Sequence, residues 1–378
     1  MRPLAFRLIL CCIGAGGLCA DAARAGDLAL MVREVNAAQN QAARGDAQAR
    51  AQAARRLDDV EKFLPSMSAE AWPDPKNVRA AAIYLLCGGS PRALRKLLDS
   101  KALPEQSAPL IAAALAYAEG RGKEAARLLR PIDPRRFPNV LGGHLALAEG
   151  GLAIGEDNAR ATRLLDVARL LTPDSLVEEA ALRREVAILD PLREPDKFAR
   201  LGRRYVARYA NSPFAKNFWD TFGAKVVKVS SSANETQLAR FQEVLTDPRA
   251  PNKIDSLFAI ARRALLNAQP SVAAAQIDKA ASCASSPAER ARLRLYQSLL
   301  ETMSGDMDKG LSEFDRVDRG ALPRADLELL NIVAGAGARL RVGPPQEKDD
   351  GAETPALIGA AQRALADADA VLAKASRR

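Results

Sequence analysis

The chain has 378 residues, 48% hydrophobic but only 4% aromatic, with 55 Lys+Arg against 46 Asp+Glu and a net charge of +9. That length suits two compact domains or one elongated array, and an apolar content made mostly of Ala and Leu, beside abundant Arg and Glu, favours helix. No long run of alternating β-branched residues appears, so an all-α fold is expected and a sheet-based one excluded; the modest, spread-out charge does not indicate nucleic-acid binding.

The first 25 residues read as an export signal. Arg2 and Arg7 supply positive charge, Leu8–Leu18 a short apolar run, and Ala23-Arg24-Ala25 a small-x-small cleavage site before Gly26. The run is too short for a comfortable membrane span, and Leu18 disfavours lipidation of Cys19. Cleavage near Ala25 would remove Arg2, Arg7, Arg24 and Asp21, leaving 52 basic and 45 acidic residues, a net of +7. It would also remove Cys11, Cys12 and Cys19. Cys87 and Cys283 then remain, 196 residues apart in sequence. They are expected to be two unpaired, largely buried thiols, because an elongated array would hold them too far apart to bridge.

Residues 27–64 read as two helices. Leu28, Met31, Val32 and Val35 line the first, Gly45-Asp46 makes the turn, and Leu57, Val60, Phe63 and Leu64 line the end of the second. Trp72-Pro73-Asp74-Pro75 is a rigid connector, after which Asn77 is expected to cap a helix bearing Val78, Ala81, Ala82 and Leu85. A period then emerges. Ala161, Leu165 and Ala168, with Pro173 beyond, have the spacing of a tetratricopeptide second helix. Ala273, Ile277 and Ala280 repeat it, as do Gly310, Phe314 and Val317, more loosely Ala125, Leu129 and Ile132, and at the head of the series Ala93, Leu97 and Ser100. Gly120, Gly155 and Gly305 supply turns just upstream. A small residue lets two helices approach and a large one fills the groove, so tetratricopeptide-like helical hairpins stacked into a right-handed α-α superhelix are expected.

The densest signal lies in Pro173–Phe222. Ser175 and Glu178 form a candidate capping box. Leu182, Val186 and Leu189 give one apolar face, with Glu179 and Arg183 expected to pair on the outer face. A second helix is expected from near Asp196, turning Phe198, Leu201, Tyr205 and Tyr209 inward. A third is expected to have Ser212 as its cap and Pro213 at its first position. Phe214, Phe218 and Phe222 recur every four residues with Trp219 beside them. Seven of the 17 aromatic residues thus fall between Phe198 and Phe222 and should fill the local core.

Lys228–Glu235 breaks the series and is the expected lobe boundary. The expected domains are a signal at 1–25, a helical repeat lobe at 26–229, a second at 230–340, and a linker with a terminal helix at 341–378. Arg341–Pro355 reads as mobile, and Ala356–Ala373 as a final Ala-rich helix.

Reactive constellations are sparse. The sole His, His144, reads as a structural residue at a helix start, and with unclustered Cys it makes a zinc site improbable. No Gly-x-Ser-x-Gly elbow and no phosphate-binding Gly-Lys-Ser/Thr loop appears. Adjacent carboxylates such as Glu178/Glu179 and Asp58/Asp59 read as solvated faces. Asn234-Glu235-Thr236 formally matches a glycosylation acceptor and is assigned no role. No cofactor, metal or catalytic residue is expected. The one surface feature with content is basic: Arg200, Arg204 and Arg208 recur every four residues, with Arg203 adjacent. Arginine forks suit carboxylates, so this stripe is the candidate contact for an acidic partner or the cell-wall polymer. The alternative is a solvated face or internal pairing to Glu residues.

Val177-Glu178-Glu179-Ala180-Ala181-Leu182-Arg183-Arg184-Glu185 resembles a segment of the bacterial chemotaxis (motility) protein MotC family. Asp196-Lys197-Phe198, Arg203-Arg204-Tyr205 and Ser212-Pro213-Phe214-Ala215 are similar too. So, upstream, are Ala82-Ile83-Tyr84-Leu85, Gly88-Gly89-Ser90-Pro91 and Leu141-Gly142-Gly143-His144-Leu145. The likeness covers about residues 28–225 and fades beyond Val229. It implies an exported periplasmic protein without enzymatic activity, acting with the periplasmic part of the stator protein MotB, which anchors the motor's ion channel to peptidoglycan. A helical accessory or binding domain for peptidoglycan processing or envelope assembly is the alternative reading.

Overall fold

The computed structural model describes residues 27–99, 103–251 and 253–342. Among these residues the regular elements are 17 α-helices and four short 3-10 turns, with no strand. In chain order they are α1 (Leu28–Ala43), α2 (Ala47–Phe63), α3 (Pro75–Leu86), α4 (Arg92–Asp99), α5 (Ala108–Ala118) and α6 (Gly122–Leu129). Then come α7 (Asn139–Ala153), α8 (Asn158–Leu171), α9 (Leu176–Ile188), α10 (Pro195–Tyr209), α11 (Ala215–Val229) and α12 (Glu235–Leu245). The last are α13 (Lys253–Leu266), α14 (Pro270–Ala281), α15 (Pro287–Met303), α16 (Met307–Phe314) and α17 (Arg324–Val342). The expected signal, Ser100, most of the 341–378 segment and the Ala356–Ala373 helix lie outside the described residues.

Short polar caps set many of the starts. Asp27, Asp46, Asp157 and Asp306 each accept a backbone N–H from the first turn of the helix that follows, satisfying donors that have no partner within the helix. Asp74, not Asn77, caps α3; Asn77 lies within the helix, where its amide donates to Ala71 O at 2.9 Å. Asn234, the formal glycosylation match, closes a full capping box with Gln237 at the start of α12.

Helices pack as antiparallel neighbours, α1 with α2, α5 with α6, α7 with α8, α9 with α10, and α15 with α16. The first helices of successive hairpins also stack, α1 on α3, α3 on α5, α7 on α9, α9 on α11 and α11 on α13, while α10 stacks on α12. Ala125 and Leu129 on α6, Ala161, Leu165 and Ala168 on α8, and Ala273, Ile277 and Ala280 on α14 are all buried on second helices. In α4 the fully buried side chain is Leu94; the expected Ala93 and Leu97 are only half-buried. At Gly310 a Cβ would stand 2.8 Å from Thr302 N and 2.9 Å from Ser298 O. Only glycine therefore lets α16 sit this close to α15. The turn glycines Gly120, Gly155 and Gly305 all take positive φ.

Two compact units divide the chain, one ending at Ala280 and the other beginning at Ala281. Within the first, one apolar core joins Phe198, Tyr205 and Phe222 to Leu238, Phe241 and Ile260. It passes without a break across the Lys228–Glu235 segment, of which only residues 230–234 form a turn, between α11 and α12. Phe198 stacks on Phe222 with centroids 4.5 Å apart and meets Phe241 edge-on at 5.3 Å. Phe214 departs from expectation. It is 39% exposed, because α11 starts at Ala215 and leaves it in the turn, where the Arg183 guanidinium covers it at 4.8 Å.

Candidate functional site

The candidate stripe lies on α10, and what lies beneath it decides what it can do. Packed on α7, α8, α10, α11 and α1, helix α9 leaves only Ala187 exposed. Glu178, Glu179 and Glu185 are therefore buried, not solvated, at 3%, 0% and 0% exposure. A buried carboxylate must be paired and hydrogen-bonded to persist as an anion, and each of the three draws donors from neighbouring helices.

Glu178 is the best supplied. Arg204 Nε and Nη2 donate to its two oxygens at 2.8 and 3.0 Å, Tyr209 OH at 2.8 Å and the Asp174 N–H at 2.7 Å. Burial works against its charge, but Arg204, that amide and Tyr209 hold the carboxyl below the usual range. The capping box is consequently half-formed: Ser175 accepts the Glu178 N–H at 3.1 Å, while the Glu178 side chain turns to Asp174 and Arg204. Asp174 sits at φ +60°, a region that short polar side chains tolerate. There its carboxylate accepts from Arg204 at 3.1 Å and lies 3.3 Å from Arg208 Nε. Its carbonyl accepts from Arg44 at 2.9 Å, and Asn40 takes the Leu176 N–H at 2.9 Å, so α1 is tied to the same turn.

Glu179 and Arg183 do pair, at 2.8 Å, but inside the protein. Tyr205 OH donates to the same oxygen at 2.7 Å and Ser212 Oγ at 3.3 Å. Ser212 is thus bound to α9; its oxygen accepts at 3.1 Å from the N–H of Phe214, the residue just before the helix it was expected to cap. Glu185 closes a second lattice with Arg169 at 2.9 Å and Lys197 at 2.7 Å, and Lys197 also reaches Asp166 at 2.7 Å. Burial raises the Glu185 pKa despite both cations. In the second unit, Asp326 is held the same way, by Arg292 and Tyr296 OH, each at 2.7 Å.

The four arginines therefore differ. Arg204 and Arg208 are engaged by the Asp174–Glu178 turn, and Arg203 pairs with Glu243 of α12 at 3.3 Å. Arg200 is exposed. Glu178, clamped by arginine, tyrosine and amide donors that favour its anion, has little capacity to take a substrate proton, and the lattice ties α9 to α10 and α1. The sequence pattern left the burial of Glu178, Glu179 and Glu185 unread. Its available signal was an apolar residue on nearly every side of α9, from Val177 to Ile188.

His144 lies inside α7, buried, with Nε2 2.9 Å from Asn36 Oδ1. Since the Asn36 amide donates to Val32 O, its oxygen faces the ring and the Nε2–H donates. Burial lowers the His144 pKa to about 4. Cys87 and Cys283 are free thiols, each half-buried. Among the described residues no group of three or more His, Cys, Asp and Glu is placed to hold a metal, and no helix is long and apolar enough to cross a membrane.

Stacked helical hairpins, pinned internally by ion lattices and presenting long helix faces, define a helical-repeat protein, a class whose surfaces serve recognition. The family model described as Chemotaxis protein MotC matches residues 2–377, and the chain belongs to that chemotaxis and motility family. Chemotaxis protein MotC of Rhizobium meliloti (strain 1021) is 28% identical over 333 residues, covering 86% of this chain and 76% of the relative. The match extends through the second half, beyond the motifs that carry the resemblance in residues 28–225. No solved structure matches the chain.

Proposed function

We propose that the protein is a non-enzymatic periplasmic scaffold that binds the periplasmic part of a MotB-like stator subunit and so supports flagellar rotation. Family membership along residues 2–377 carries this reading, and the stacked hairpins, with their buried carboxylates held by internal arginine, lysine and tyrosine groups, fit a binding role better than a reactive one. The Arg2–Ala25 leader pattern supports export. Binding would hold the stator domain in a form competent for wall attachment or channel opening, with Arg200 the member of the stripe available for contact.

Deletion of the gene is the decisive experiment. The expected outcome is cells with assembled flagella that do not swim, restored by the intact gene but not by one lacking codons 2–25. Normal swimming of the deletion strain would refute the motor role. Purified protein should retain the exported region of the stator subunit on a column, whereas cleavage or preferential binding of soluble muropeptides would favour the cell-wall alternative.

A further inference from the structure

Two buried polar atoms without a partner, Trp219 Nε1 and Arg263 Nε, belong to residues lining one groove of the first unit. The groove runs between α11 and α13 and encloses about 500 Å³, a size typical of ligand sites. Trp219, Gly223 and Val227 recur every four residues on the α11 side, and Ala259 and Arg263 on the α13 side. Its floor is open: a Cβ on Gly223 would meet nothing nearer than Ser256 Oγ at 3.9 Å. Trp219 is only 8% exposed, yet its indole N–H finds no acceptor among the described residues. An orphaned buried donor is costly unless something supplies an acceptor.

The charges around the groove are unevenly committed. Asp220 is paired with Lys216 at 2.6 Å, and Asp255 has a partner of its own. Lys228 and Arg263, which also line it, have no carboxylate partner among the described residues. What remains unfilled is one neutral donor, a small-residue floor between apolar walls, and two cations. That combination matches the backbone of an extended peptide bearing a carboxylate: the indole takes a main-chain carbonyl, the glycine floor admits the chain closely, and the cations take the acid. Two cations beside an apolar floor are too few for a phosphate backbone.

We propose that the α11/α13 groove is the docking site for an extended acidic segment of a protein partner, read by Trp219, Lys228 and Arg263. This rests on the reading of the protein as a binding scaffold, but not on which partner it serves.

The test uses the whole chain and an array of dodecapeptides of random Ala, Ser, Val and Leu with two central residues set to Glu, Gln or Lys. The Glu set should be captured about tenfold better than the Gln or Lys set, with the preference fading in high salt. Lys228→Gln combined with Arg263→Gln should abolish the preference without changing the circular dichroism or melting temperature, because neither side chain has an ion-pair partner to lose among the described residues. Trp219→Phe should weaken capture of the Glu set by several-fold. No preference for Glu over Gln, or a preference that survives the double variant, overturns the assignment. So does displacement of the acidic peptides by soluble muropeptides, which would make the groove a wall site. Stator binding together with no preference for Glu peptides would remove the groove and leave the motor role standing. Acidic-peptide binding without stator binding would do the reverse.

Discussion

Arg204 and Arg200 stand one helical turn apart on α10 and should behave oppositely. Removing Arg204 strips Glu178 of two of its donors while leaving it buried. Because the arginine is itself 33% exposed, the loss should be about 2 kcal/mol, below the value for a fully buried pair. Arg204→Ala should therefore lower the urea midpoint with unchanged slope, and an unchanged midpoint would disprove the lattice. Arg200→Glu should leave stability within about 0.5 kcal/mol and, if the stripe contacts an acidic partner, weaken that contact alone. Reversing Arg204 or Arg208 as well would set carboxylates against Glu178 and Asp174, so lost binding in a triple variant would report misfolding. His144 makes a pH prediction. The unfolded chain takes up a proton near pH 6.5 that the folded chain refuses until about pH 4. Stability should fall by roughly 3 kcal/mol as pH drops through that window. Glu178, with its lowered pKa, adds a further loss at more acidic pH, whereas Glu185, with its raised one, opposes that trend. In His144→Gln, urea midpoints between pH 6.5 and 4 should vary less steeply than in wild type.

At the scale of elements, the hairpins depend on contacts that spacing alone half-discloses. The small–large–small pattern located the buried faces of α6, α8, α14 and α16 because a helix interface has a fixed period. It missed Leu94 in α4, where the pattern slips by one residue. Gly310→Ala tests the closest of these contacts. Its methyl would press on backbone atoms of α15 that cannot move aside, and overpacking of this kind costs about 1–3 kcal/mol. Hydrogen exchange should quicken in residues 287–314 and stay unchanged in residues 28–245. Even acceleration along the whole chain would show that the hairpin is not a local unit.

For the whole molecule, the continuous core from Phe198 to Ile260 matters more than the polar break at Lys228–Glu235. Phe222 is fully buried and stacked on Phe198 and Phe218. Phe222→Ala should cost about 3–5 kcal/mol. Amide protection should drop from α9 to α12, on both sides of residue 230, because those helices share one core. Protection lost only on one side would restore a boundary there. The polar composition of that segment marked a surface turn; composition does not reveal whether apolar side chains meet on either side of it.

Helix content, the hairpin repeat and the aromatic core are decided locally, by propensity, by caps such as Ser175 and Asp157, and by a periodicity written into neighbouring residues; the family motifs are likewise strings of adjacent letters. Which charges are free is not local. Glu178, Glu179 and Arg204 have the spacing of solvated residues, and only the layering of α9 between five other helices buries the first two and recruits the third. The open groove beside Trp219 arises the same way, from the distance at which α11 and α13 stack, a quantity set by every hairpin packed around them.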